Sequence, residues 1–156
     1  MVQFVYEAME AHGGAGYVED SVMPRLFRQS PLNSIWEGSG NVICLDVLRA
    51  LAREPDSMAA FLHELEAARG AYAALDAAID GVKDNLRHPP AEANARRLVE
   101  DMALALQGAI LAVRGQTAVA DAFCATRLRE RCGFCYGAAD AEIDVDAILT
   151  RAMPQF

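Results

Sequence analysis

Hydrophobic residues recur along this chain at steps of three and four. The cleanest run is Met58, Phe61, Leu65, Ala68, Tyr72, Leu75, Ile79, Val82 and Leu86. That alternation is a heptad seam, and it predicts a helix about four heptads long, capped at its start by Asp56 or Ser57. Gly70 lies inside the seam at a propensity cost of ~1 kcal/mol and is the place for a bend. The sequence His88-Pro89-Pro90 ends the run. A second seam follows through Val99, Met102, Leu106, Ala109 and Val113. The short proline-containing connection makes the two seams antiparallel neighbours. A third helix over Thr117–Arg131 closes the group, "CGFCYGAAD" reads as a turn region, and Ile143–Met153 predicts a last short helix.

The N-terminal third is less regular. Val2–His12 predicts a helix stopped by Gly13-Gly14. "GGAGYVEDSVMP" reads as an irregular loop, with Pro24 opening a short helical turn through Arg28. "SPLNSIWEGSG" is a second irregular stretch. A helix from Ser39 to Arg53 then buries Val42, Leu45, Leu48 and Leu51 or their near neighbours. Alanine is abundant and long β-branched runs are absent, so the fold class is all-α. The change of character near residue 54 suggests two parts, 1–54 and 55–156. Binding sites concentrate where irregular backbone meets a rigid scaffold, which directs attention to the first part.

Composition narrows the classes. A chain of 156 residues that is 53% hydrophobic and 23% charged suits one globular domain or two small helical units. No run approaches the ~18 apolar residues of a membrane span. The opening "MVQFVYEAME" lacks the basic flank of a secretory signal, so the expected location is the cytoplasm. Its four cysteines are then expected to be free thiols. The net charge is −8, with three arginines against six acids in residues 1–52 and eleven basic residues against sixteen acids in the remainder. Neither part is a basic module, which disfavours nucleic acid as a partner.

The densest candidate chemistry is "SIWEGSGN", residues 34–41. Ile35 and Trp36 supply apolar bulk that would desolvate the Glu37 carboxyl and raise its pKa toward that of a general base. Gly38 and Gly40 permit close approach to the backbone. Ser39 and Asn41 are short polar groups at a helix start, where unpaired N–H groups favour phosphate-like anions. "GGAGY" is not a dinucleotide fingerprint, because no strand precedes it. Cys132 and Cys135 have the spacing of a redox pair or half a zinc site, but neither a βαβ setting nor a second ligand pair accompanies them, and no metal is expected. Arg96-Arg97 and Arg127, Arg129 and Arg131 are interleaved with acids and read as a solvated face.

Taken in order, "EAMEAHGGAGYVEDSVMPRLFRQSPLNSIWEGSGN" resembles the C-terminal helical region of the flavin-dependent acyl-CoA dehydrogenases. That family has a Gly-Gly-x-Gly-Tyr/Phe loop, then an arginine, then Ile-Tyr-Glu-Gly-Thr at similar spacing. Trp36 in place of tyrosine, Ser39 in place of threonine and "LDVLR" after Cys44 are similar to the AidB-like branch, linked to the adaptive response to alkylation. The resemblance implies an up-and-down helical bundle of the acyl-CoA dehydrogenase C-terminal type with an additional antiparallel bundle. It also implies that Glu37 removes the α-proton of an acyl-CoA thioester while the β-hydride passes to FAD. Trp36 would line the substrate cavity, Ser39 and Asn41 would lie near the flavin phosphates and adenosine, and Gly14 would approach an adenosine bound mainly by a neighbouring subunit. Glu10 departs from the family, which usually has glutamine there.

The resemblance is to the C-terminal part of enzymes several hundred residues long. This chain by itself is therefore expected neither to hold FAD nor to turn over substrate. Two other readings accompany this one: a DNA-associated alkylation-response protein with vestigial activity, and a helical oligomerisation module using the heptad seams.

Overall fold

The computed structural model describes residues 2–36, 38–88, 91–128 and 143–154. Glu37, Arg129, Arg131, Cys132, Cys135 and the "CGFCYGAAD" stretch lie outside them. Among the described residues there are nine α-helices and no strand, as the all-α reading predicts. They are α1 (Val2–Ala11), α2 (Gly14–Tyr17), α3 (Met23–Gln29), α4 (Gly40–Arg53), α5 (Pro55–Glu66), α6 (Ala73–Arg87), α7 (Ala95–Arg114), α8 (Thr117–Arg127) and α9 (Val145–Ala152). Two 3₁₀ turns, Ser30–Ser34 and Glu92–Asn94, precede α4 and α7. Among the described residues no helix is long and apolar enough to cross a membrane. The chain forms two compact units, Met1–Ile43 and Cys44–Phe156.

In the first unit α1 packs on α2 and α3. The supposed loop after Gly13 contains the helical turn α2, because Gly13 takes φ 59° and redirects the chain into it. Pro24, buried near the start of α3, fills a position where its missing N–H has no intrahelical use. The second irregular stretch opens with the 3₁₀ turn, where buried Ser30 donates its Oγ–H to the Phe27 carbonyl at 2.8 Å. Glu19 and Arg28 close the loop between α2 and α3 through two hydrogen bonds of 2.7 and 3.1 Å.

The second unit is built around α7, against which α5, α6 and α8 all pack. Its core holds Leu65, Leu75, Ile79, Val82, Leu98, Ala105, Ala109 and Cys124, with Leu48, Leu51, Phe61 and Met102 packed on it. The single long helix predicted over 56–86 is two helices. The chain leaves the helix after Glu66 and re-enters it at Ala73, turning at Gly70 with φ 85°. The α5 cap is Glu54, not Asp56 or Ser57, because Pro55 supplies the first helical position.

In the second seam Met102, Leu106 and Ala109 pack in the core as the pattern predicts, and the buried face is widened by about one residue toward Leu98 and Ala105. Ala95, Leu98, Ala105, Gly108 and Ala109 face inward, while Val113 is exposed. Small residues win those positions because the helices approach closely there: a Cβ at Gly108 would stand 3.0 Å from Leu75 Cδ1 and 3.1 Å from Leu128 Cδ1. In α4 the sequence pattern holds only for the C-terminal half. Cys44 is buried and Leu48 and Leu51 pack on the core, whereas Val42 and Leu45 are exposed.

Candidate functional site

Of the residues read from sequence, Ser39 and Asn41 lie at the start of α4, Trp36 lies shortly before it, Gly14 opens α2, and Glu37 is outside the described residues. The chain arrives through the 3₁₀ turn, whose Leu32 carbonyl accepts from the amides of Ile35 and Trp36 at 2.9 and 3.2 Å. Gly38 then takes φ 107°, a backbone conformation that side-chain-bearing residues rarely adopt, and the helix begins two residues later. The Ser39 carbonyl accepts the amide of Ile43 at 3.1 Å, closing the first turn. The first N–H groups of an α-helix have no partner within it and carry the positive end of the helix dipole. Ser39 and Asn41 are both exposed at this end, available to an anion from outside.

Ile35 and Trp36 flank the Glu37 position with relative exposures of 65% and 69%. Both large apolar side chains therefore stand mostly in solvent. The expected apolar packing of Ile35 and Trp36 is not seen in this chain, since neither side chain is buried.

The three glycines of "GGAGY" separate by physical cause. Gly13 is held by its positive φ. Gly16 is buried, and a Cβ there would land on the Met9 carbonyl and stand 3.0 Å from His12 Cβ. Gly14 is exposed, helical, and has nothing within 4 Å of a built Cβ. The described surroundings require the first and third glycines and leave the second unexplained by the fold.

Sequence reasoning missed the Glu19–Arg28 pair, and no spacing rule would have found it, since nine residues of irregular chain separate the partners. The hydrogen bond from Arg28 holds the Glu19 carboxyl below its ordinary range, and Glu19 raises Arg28 in turn. Both side chains are largely exposed, so the pair is a modest brace of the loop. In the second unit Tyr72 is pushed up to about 12 by burial, then by its hydrogen bond to Asp121 and that residue's charge. Burial likewise raises the Cys124 thiol. A buried, protonated thiol is a poor nucleophile, so Cys124 acts as a packing residue.

Comparison with known proteins bears on residues 1–52, which match the family model described as acyl-CoA dehydrogenase, C-terminal domain. AidB of Escherichia coli (strain K12), named as an acyl-CoA dehydrogenase, is 39% identical over 130 residues, covering 83% of this chain and 24% of that protein. Acyl-CoA dehydrogenase family member 11 of Caenorhabditis elegans is 42% identical over 65 residues, 42% of this chain and 10% of that protein. The chain thus spans about a quarter of the AidB length and a tenth of the other. The likeness to AidB extends well past the residues of the C-terminal domain and into the second unit. Through that domain, in residues 1–52, the chain belongs to the acyl-CoA dehydrogenase family.

Proposed function

We propose that this chain forms the C-terminal part of a cytoplasmic, AidB-like, FAD-dependent acyl-CoA dehydrogenase, with Glu37 as its base. The single observation that carries the reading is the family match across residues 1–52, which contain "GGAGY" and "IWEGSGN" in family order. The residues at the head of α4 fit the phosphate-bearing part of such a cofactor. Ser39 and Asn41 are exposed at a helix N-terminus and Gly38 keeps the backbone bare, while Gly14, at the start of α2, leaves open space of its own. FAD, when bound, supplies the acceptor for the hydride that leaves the β-carbon of the thioester.

The chain's own residues then have distinct tasks. The Glu37 carboxylate takes the α-proton, which is acidified by the thioester carbonyl. The Glu37 backbone N–H donates to that carbonyl oxygen as negative charge grows on it. Trp36 walls the cavity and, once covered, lowers the dielectric around the carboxylate, bringing its basicity toward the task. An acyl-CoA thioester is the substrate class, and the intact protein works as a homo-oligomer. DNA is a disfavoured partner because the chain's net charge of −8 opposes the phosphate backbone. Alone, the chain is inactive in this reading, since it offers one wall of the site.

The test uses the intact enzyme that contains this chain. Glu37→Gln is expected to leave flavin absorbance in place and to lower acyl-CoA turnover by roughly 10²-fold or more, the usual weight of a general base. Turnover equal to that of the unsubstituted enzyme overturns the assignment.

A further inference from the structure

The corner between α5 and α6 is one helix by sequence pattern and two in the structure. Apolar positions from Met58 to Leu86 keep alternating three and four straight across it, with Ala68 and Tyr72 in register. Residues 67–72 nevertheless turn: the amides of Ala68, Arg69 and Ala71 donate to carbonyls three residues back. Gly70 completes the turn with φ 85°, and a Cβ there would meet nothing within 4 Å. Backbone angle, not space, is what calls for glycine.

A set of polar contacts belongs to the bent form alone. The Gly70 amide donates to Asp76 Oδ1 at 3.0 Å. Arg69 donates to the Asp76 carbonyl at 3.2 Å and to Asp80 Oδ1 at 2.8 Å. Lys83 Nζ reaches Glu66 Oε1 at 2.5 Å. In a continuous helix Arg69 and Asp80 would be about 16 Å apart along the axis, and Glu66 and Lys83 about 25 Å. Only the Arg69–Glu66 pair, three residues apart, suits both forms.

We propose that this corner is a hinge, and that on straightening α5 docks on α7 of a second copy of this chain, giving an exchanged dimer. A straight α5–α6 helix draws α5 away from the α7 it covers, uncovering the core contacts of Leu65 and Phe61. The surface vacated on a second copy has the shape and chemistry for α5, because it is the same surface. The Glu64–Arg114 pair between α5 and α7, 3.7 Å in the closed chain, then forms between copies. Closed and exchanged forms share the α5–α7 contacts, so residues 67–72 and their latch to Glu66, Asp76, Asp80 and Lys83 decide between them.

The experiment compares this whole 156-residue chain carrying Gly70→Ala or Gly70→Asn with the unsubstituted chain, by size exclusion with light scattering at matched concentrations. Alanine disfavours the left-handed angle and favours continuous helix, which together shift the bent-to-straight ratio by about a hundredfold. Asparagine tolerates the bent angle. The expected result is a doubled mass for Gly70→Ala with helical circular dichroism retained, and no change for Gly70→Asn. A Gly70→Ala mass equal to the unsubstituted one, or equal doubling in both variants, overturns the hinge. Should Gly70→Ala fail to fold, the unsubstituted chain is refolded from denaturant at high and low concentration. A doubled-mass species that grows with refolding concentration and persists on dilution supports exchange; identical profiles overturn it.

Discussion

Within "GGAGY" the sequence shows three glycines and the structure gives each a different reason. Gly13 answers to its backbone angle and Gly16 to the Met9 carbonyl that a side chain would strike. Gly14 answers to neither, which supports reserving it for a ligand. The distinction is measurable in the chain itself. Gly16→Ala forces backbone apart in a packed contact and is expected to destabilise the first unit by about 1–3 kcal/mol. Gly14→Ala, at a helical position with open space, is expected to be neutral or stabilising by up to ~1 kcal/mol. Thermal unfolding followed by circular dichroism compares the two; equal losses would remove the argument for Gly14. No local pattern could have ranked these glycines, because the Met9 carbonyl that decides Gly16 belongs to a neighbouring helix turn.

At the scale of the helices, periodicity was a good guide to where helix exists and a poor one to where it stops. The seam from Met58 to Leu86 is real, and Leu65, Leu75, Ile79 and Val82 are all in the core, yet the chain bends between them. The bend is written in polar residues that periodicity ignores. Glu66 is the clearest of these: hydrogen bonds from Arg69, then from Lys83, pull its carboxyl from an ordinary 4.5 down to about 2. A depressed folded-state pKa means that the folded form binds this proton less readily than the unfolded form. Its stabilising contribution is complete above pH 4.5, falls as the pH drops from there, and is gone below about 2. Urea midpoints measured between pH 6 and 2 are expected to fall less steeply in Glu66→Gln than in the unsubstituted chain over that window. Parallel curves would show that the latch adds nothing to folding. The group is solvent-exposed, so the effect is small beside any core substitution.

For the molecule as a whole, the fold class was legible because alanine-rich, three-and-four spacing admits little else. The candidate site rests on the order of its motifs rather than on local packing, since Ile35 and Trp36 stand in solvent. The two units also differ in how much they bury. No residue of α1 is buried, and the first unit's buried positions are Gly16, Pro24 and Ser30 among the described residues. The second unit has Leu65, Leu75, Ile79 and Ala105 fully enclosed. Local opening free energy follows buried apolar contact, so the two should exchange amide hydrogens on different timescales. In the isolated chain the amides of Ile79, Val82, Ala105 and Ala109 are expected to be the slowest, approaching the limit set by global unfolding. Those of α1 should exchange orders of magnitude faster, because its backbone bonds are guarded by side chains that already face water. Protection in α1 equal to that in α6 and α7 would mean that the first unit is stabilised by something other than its own packing.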